Sequence, residues 1–267
     1  MTSATARHAD KAPVRMPILT YHSLDDSGSV ISVAVDQFLR QMKMLREWGY
    51  TGICLGNFLD ACEGKTELPD KPVVIIFDDG FRSILDYAAP ALYETGFGAT
   101  VFVVADYCGK KNDWPGQPPE APRLPLLSWD DLKTLLNSGF EIGAHTLTHP
   151  ALTRISVEEA KNEIVNSKHV IEERLGTPVR TFAYPYGMFD RRHRDIVEEH
   201  YQGACGVDLR IASRNDDRYA LPRVEMYYFR TAAFFRLFPT FAGRAYIGLR
   251  RVGRSLRKEV ILDRDML

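Results

Sequence analysis

Short apolar runs alternate with longer stretches in which apolar residues recur every three or four positions, and this rhythm holds along most of the chain. The runs at 16–21, 73–77, 100–104, 140–144, 180–183, 202–207 and 219–224 are strand-length; those at 73–77 and 100–104 are almost wholly apolar, as buried parallel strands require. Between the first two, Phe38, Met42 and Leu45 fall at helical spacing, with Asp36 as the expected N-cap and Gly49 as the stop. A further amphipathic helix is predicted over 84–93. Ser128 with Asp131, and Ser156 with Glu159, carry the pattern of a capping box and open helices that run to Asn137 and to near Gly176. Strands alternating with helices predict an α/β fold whose parallel strands are joined by crossover helices. Residues 106–127 are rich in Pro and Gly and have no period, which predicts a long surface loop of the kind that borders a cleft.

Polar clusters follow several of these strands directly: His22, Asp78-Asp79, His145 to His149, and Tyr184 to Gly187. In parallel α/β folds the carboxyl ends of the strands are where active sites assemble, so one shared site is expected. Two adjacent carboxylates at a strand end, with Gly80 to turn the backbone, are costly unless a cation is near. Alone, the pair reads equally well as a helix N-cap with a solvated neighbour. It is joined, however, by His145 and His149, whose separation predicts two imidazoles on one face of a helical turn. Two imidazoles and a carboxylate leave room for water and substrate on one divalent ion, as hydrolytic zinc centres require; cobalt, nickel, iron and manganese fit the same ligand types.

The segments Ile76-Phe-Asp-Asp-Gly80, His145-Thr-Leu-Thr-His-Pro150 and Ala183-Tyr-Pro-Tyr-Gly187, in this order, resemble the first three motifs of the polysaccharide deacetylases (the NodB-homology domain, carbohydrate esterase family four). The resemblance covers about 16–224. It implies a distorted (β/α) barrel of about seven parallel strands and hydrolysis of acetyl groups on an acetylated sugar or oligosaccharide. It further implies that Asp79, His145 and His149 bind the metal, that Asp78 is the catalytic base, and that the backbone N–H of Tyr186 stabilises the oxyanion.

Two features depart from that pattern. Relatives begin the third motif with an arginine that orients the catalytic aspartate, where this chain has Ala183 or Tyr184; and the late Leu-x-His motif, source of the general acid, is replaced by Leu221-Pro222-Arg223. In a closed barrel the first and last strands are neighbours, so a group lost from one can be supplied by the other. Leu19-Thr-Tyr-His22 suits that exchange and resembles the circularly permuted branch that deacetylates exopolysaccharides. His22 is therefore expected to protonate the leaving amine, and Arg223 to sit beside Asp78 in place of the missing arginine. His193 is a weaker candidate acid, expected to be exposed in the first turn of a helix. Trp114, Trp129 and Tyr107 are expected to line a sugar cleft, and Asp208 and Asp217 are further candidates for substrate contact. Rival readings of the same residues are a deformylase or amidase on a related aminosugar or non-sugar amide, and a catalytically inactive carbohydrate-binding module.

Composition adds boundaries. The net charge of −1 supplies no global field for nucleic acid. Cys54, Cys62, Cys108 and Cys205 form no C-x-x-C pair and read as buried free thiols. Residues 1–17 lack the apolar run of a secretory signal, which predicts a cytoplasmic location, peripheral to the inner membrane face if the C-terminal segment binds there. That segment, 229–258, holds Arg230, Arg236, Arg244, Arg250, Arg251, Arg254, Arg257 and Lys258 with no acid among them, interleaved with Phe238, Phe241, Ala245, Leu249, Val252 and Leu256. A basic amphipathic helix broken early by Pro239 is predicted. One reading packs its apolar face on the barrel and leaves a solvated charged face. The other attaches it to an anionic membrane or a diphosphate-linked sugar carrier, which suits a lipid- or nucleotide-linked substrate. The resulting organisation is a flexible segment 1–15, a catalytic barrel 16–228 and a helical extension 229–267.

Overall fold

The structure is a computed structural model that describes residues 15–117 and 121–264, with side chains as far as Gly253. The expected N-terminal segment lies outside the described residues apart from Arg15. Among the described residues, seven parallel strands close a barrel: β1 (Ile18–Tyr21), β2 (Pro72–Phe77), β3 (Thr100–Val103), β4 (Glu141–Ala144), β5 (Thr181–Ala183), β6 (Gly203–Leu209) and β7 (Leu221–Glu225). They run in sequence order around the wall, and β1 seals it by pairing with β2 on one edge and β7 on the other. The distortion sits at β2, which pairs with a short outer strand, Thr51–Ile53, along its first half and with β3 only along its second.

Side-chain alternation divides the core in two, because successive residues of a strand point to opposite faces. Ile18, Val74, Ile76, Phe102, Cys205 and Leu221 fill the interior, together with Leu55, Phe58 and Leu59 of a helix at Leu55–Cys62. Leu19, Tyr21, Val73, Ile75, Phe77, Val101 and Val103 point outward into the larger core shared with the surrounding helices. Continuing the inward rows by two residues leads from Ile76 to Asp78 and from Leu221 to Arg223, and from Ile18 through Thr20 to His22. The barrel's alternation therefore brings these three groups to one mouth.

The α-helices among the described residues are α1 (Val35–Glu47), α2 (Leu55–Cys62), which contributes to the interior, and, outside the barrel, α3 (Ala89–Thr95), α4 (Trp129–Asn137), α5 (Val157–Leu175), α6 (Arg191–His200), α7 (Ala232–Leu237) and α8 (Phe241–Arg264). Both predicted capping boxes are formed, with Ser128 accepting from the N–H of Asp131 and Ser156 from that of Glu159. Several expectations need correction. The first strand is interrupted at Pro17, which has no N–H to donate; Arg15–Met16 turns away to pair antiparallel with Ala212–Ser213. Ala34, not Asp36, precedes α1, and Asp36 lies in its first turn, where it pairs with Arg40. The helix expected at 84–93 opens with a π-helical turn, Ile84–Ala88, before α3. Pro90 cannot bond the carbonyl four residues back, and the wider turn accommodates that loss. Of the four cysteines, all free, only Cys205 is fully buried, and burial pushes its thiol up to about 12.

Of the two readings of the C-terminal segment, the one that packs the whole apolar face on the barrel needs correction, since only Phe238 of that face is buried among the described side chains. Phe235, Phe238 and Ile247 are buried, whereas Phe241, Ala245, Leu249 and Val252 face outward. Close approach of α8 to the end of α7 sets this orientation: a Cβ on Gly243 would lie 2.1 Å from the carbonyl oxygen of Leu237. The expected side-chain roles of Arg254, Leu256, Arg257 and Lys258 fall outside the described side chains. No helix among the described residues is long and apolar enough to cross a membrane.

Candidate active site

The loops after β1, β2, β4 and β5 and the end of β7 converge on one cleft of about 900 Å³. His22, Asp78, Asp79, His145, His149, Tyr186 and Arg223 all line it. Its backbone is unusual. Among the described residues, the non-glycine positions with positive φ are Asp79 (69°), Thr146 (68°), His149 (63°) and Tyr186 (56°), all in these loops. Left-handed conformations cost roughly 1–3 kcal/mol each for side chains with a Cβ, and such strain concentrates where a site over-determines the backbone.

The Asp79 carboxylate turns away from Asp78 through two consecutive left-handed residues, Asp79 and Gly80, and meets the two imidazoles. Asp79 Oδ1 lies 3.5 Å from His145 Nε2 and 3.3 Å from His149 Nε2, and the two Nε2 atoms are 3.2 Å apart. His145 Nδ1 is 2.7 Å from the carbonyl oxygen of Ala183. A carbonyl only accepts, so Nδ1 carries the proton and Nε2 presents a lone pair to its neighbours. Three buried donor atoms thus converge on one point. Tetrahedral coordination at metal–ligand distances of about 2.1 Å separates donors by roughly 3.4 Å, so this spacing fits a single divalent ion.

Burial would raise the Asp79 carboxyl, but its close contacts with the rings of His145 and His149 outweigh that and hold it well below the usual carboxylate range. Burial also opposes a charge on His145, yet Asp79 and Asp78 outweigh it and shift this imidazole upward; at His149 burial wins and the shift is downward.

The two histidines do not share a helical turn, contrary to the expectation from their spacing. The chain from 145 to 149 is an irregular loop whose left-handed residues Thr146 and His149 bring the rings together. Glu163 of α5 holds this loop: its Oε2 accepts from the N–H groups of Leu147 and Thr148, both at 2.9 Å, and its Oε1 from the Thr148 hydroxyl at 2.7 Å. Nothing in the local sequence marks Glu163 among the acids of that helix. Such outer supports tune metal affinity by about 10- to 100-fold, and Glu163→Gln, which keeps one acceptor and loses the other, is expected to weaken metal binding by that order in a calorimetric titration.

Asp78 stands beside the triad but points elsewhere. Arg223 Nη1 lies 3.0 Å from its Oδ1 and 2.8 Å from its Oδ2, and both side chains are buried. The arginine reaches Asp78 from β7 across the top of β1. His22 occupies the end of β1 between them, with Nε2 3.8 Å from Asp78 Oδ2 and a partly exposed ring. Tyr186 packs its ring edge-on against His149 at 4.6 Å. Its turn is tight: a Cβ on the following Gly187 would lie 2.0 Å from Val207 Cγ1, so only glycine permits the approach.

The other candidates separate. Trp114 is buried in the cleft wall, tilted against His149 at 4.5 Å, and Tyr107 braces it edge-on. Trp129 packs on the outer core with Arg174 over its ring, away from the cleft, because it opens α4 on the barrel's exterior. His193 is buried rather than exposed: its Nδ1 accepts the N–H of Asp190 in a capping box of α6. Asp208 and Asp217 are engaged by Arg210 and Arg194 beside a separate hollow. Sequence reasoning missed the outer wall of the cleft, where Tyr227, Tyr228, Arg230, Tyr246 and Arg250 form its far side.

A closed parallel barrel thus carries, at the carboxyl ends of its strands, a buried Asp-His-His triad that could hold a metal ion. Residues 65–202, just over half the chain, match the profile of the polysaccharide deacetylases, and the chain belongs to that family. Asp78, Asp79, His145, His149 and Tyr186 fall within the matched stretch, whereas His22 and Arg223 lie outside it. The chain is 26% identical over 215 residues to YxkH of Bacillus subtilis, assigned by name to the polysaccharide deacetylases, covering 80% of this chain and 72% of that one. It is 25% identical to a poly-beta-1,6-N-acetyl-D-glucosamine N-deacetylase of Staphylococcus epidermidis, covering 83% of this chain and 78% of the relative. The fold is shared with IcaB from Ammonifex degensii (TM-score 0.71, 23% identity, 86% of this chain and 97% of the other).

Proposed function

We propose that this protein is a single-metal N-deacetylase that releases acetate from an N-acetylated amino sugar or its polymer, with zinc the leading candidate ion. The observation that carries this reading is the donor triad of Asp79, His145 and His149 with Asp78 beside it, off the triad and paired to Arg223. A divalent ion held by those three residues would polarise the acetyl oxygen and make water more acidic. The remaining work falls to the protein's own groups. Asp78, fixed in orientation by Arg223, accepts the proton of the attacking water. The strained turn at Tyr186 supports its N–H as donor to the developing oxyanion. His22, at the cleft and next to Asp78, donates a proton to the departing amine. Trp114 buttresses His149 and gives the cleft an apolar wall.

Acetate release from β-1,6-linked and β-1,4-linked N-acetylglucosamine oligomers, run beside the N-formyl analogue, tests the assignment. The reading expects acetate from an N-acetylated oligomer; release from the formyl compound alone points to a deformylase, and neither product points to a binding module. His22→Ala is expected to lower kcat by about 10²- to 10⁴-fold with metal content unchanged, and a fully active variant removes His22 from the mechanism.

A further inference from the structure

Helix α8 leaves a continuous apolar stripe in water. Phe241, Leu249 and Val252 are 77%, 74% and 59% exposed, and Ala245 between them is exposed as well. Their spacing of four, four and three residues aligns them on one helix face, opposite the buried Gly243 and Ile247. Phe234 and Leu237 of α7 are also partly exposed. The other exposed large apolar residues are distributed over loops and other helices. A stripe of this kind marks a surface that something apolar covers.

Charge indicates what. No acidic residue occurs from 226 to 258, and Arg236, Arg244 and Arg250 of the same two helices are exposed, Arg244 lying over the ring of Phe241. The cores of protein interfaces are depleted of charge, whereas an anionic bilayer takes apolar side chains beneath its headgroups and arginines at its phosphates. Position matters too, because Leu249 and Arg250 also line the cleft, so this face begins at the mouth of the site. We propose that the exposed face of α7 and α8 is a docking surface for an anionic lipid membrane. Docking there presents the cleft to sugar held at the bilayer surface. The docking goes beyond the deacetylase reading and does not depend on it; only the sugar as what the cleft then meets rests on that reading.

The test is co-sedimentation of the full chain with vesicles of phosphatidylcholine, with and without phosphatidylglycerol, at low and high salt. The protein is expected to bind the phosphatidylglycerol vesicles and to lose about tenfold or more in affinity when that lipid is omitted or salt is raised. The double variant F241E/V252E, altered only at exposed positions outside the cleft, should lose binding while keeping its melting temperature. The charge-reversed R236E/R244E should lose it as well, which guards against a folding defect in the first variant. No binding by the intact protein, equal binding by the variants, or a dimer that F241E/V252E dissociates would each overturn the proposal, the last by identifying a second copy as what covers the stripe. Acetate release from a soluble oligomer, measured on the same samples, reports separately on the catalytic reading.

Discussion

Asp78→Asn is expected to retain its metal and to lose about 10²- to 10⁴-fold in kcat, because an amide cannot accept the proton that the attacking water must give up. The effect should fall on kcat rather than on KM, since the role proposed for Asp78 is to take the proton of the attacking water and not to bind the sugar. A second consequence separates this variant from a simple loss of a surface charge. Arg223 is buried with Asp78 as its nearest carboxylate, and removing one partner of a buried pair costs on the order of 3–5 kcal/mol. Thermal unfolding should therefore occur at a clearly lower temperature in Asp78→Asn. Activity near that of the original protein would transfer the base role elsewhere.

Asp79→Ala is expected to remove both metal and turnover. Two neutral imidazoles with facing lone pairs are a weak site for a divalent ion without the carboxylate that neutralises part of its charge. Metal retention in the original protein should also depend on pH with a definite sign. Each histidine must bind the ion as a neutral ring, and Asp79 and Asp78 shift the metal-free His145 upward, so protons compete from above the ordinary imidazole value of about 6.5. Affinity should fall as pH is lowered through that range and recover on returning to neutral pH. A pH-independent affinity would place the ion on other ligands.

The parts of this architecture that follow from period and register were legible in the chain. Short, largely apolar segments alternating with helical periods marked the seven barrel strands to within a few residues, most plainly at 73–77 and 100–104, where burial on both faces leaves the strand almost wholly apolar. The meeting of His22, Asp78 and Arg223 follows from side-chain alternation combined with closure of the barrel, which seats β1 between β2 and β7. What local pattern could not supply were features set by strain or by distant partners. A separation of four residues suggested a helical turn for His145 and His149, yet left-handed backbone at Thr146 and His149 and the Glu163 carboxylate from α5 arrange those rings. The orientation of α8 stayed open between two readings in the chain: its apolar residues have a correct helical period, but contact between Gly243 and the end of α7 decides which way the helix is turned.

Anomalous diffraction from crystals grown with zinc tests the central claim most directly, since it locates the ion without relying on activity. The account predicts one strong peak at the zinc edge, within coordination distance of Asp79, His145 and His149 and with Asp78 uncoordinated. An absent peak, or one bound through Asp78 or outside the cleft, would contradict it.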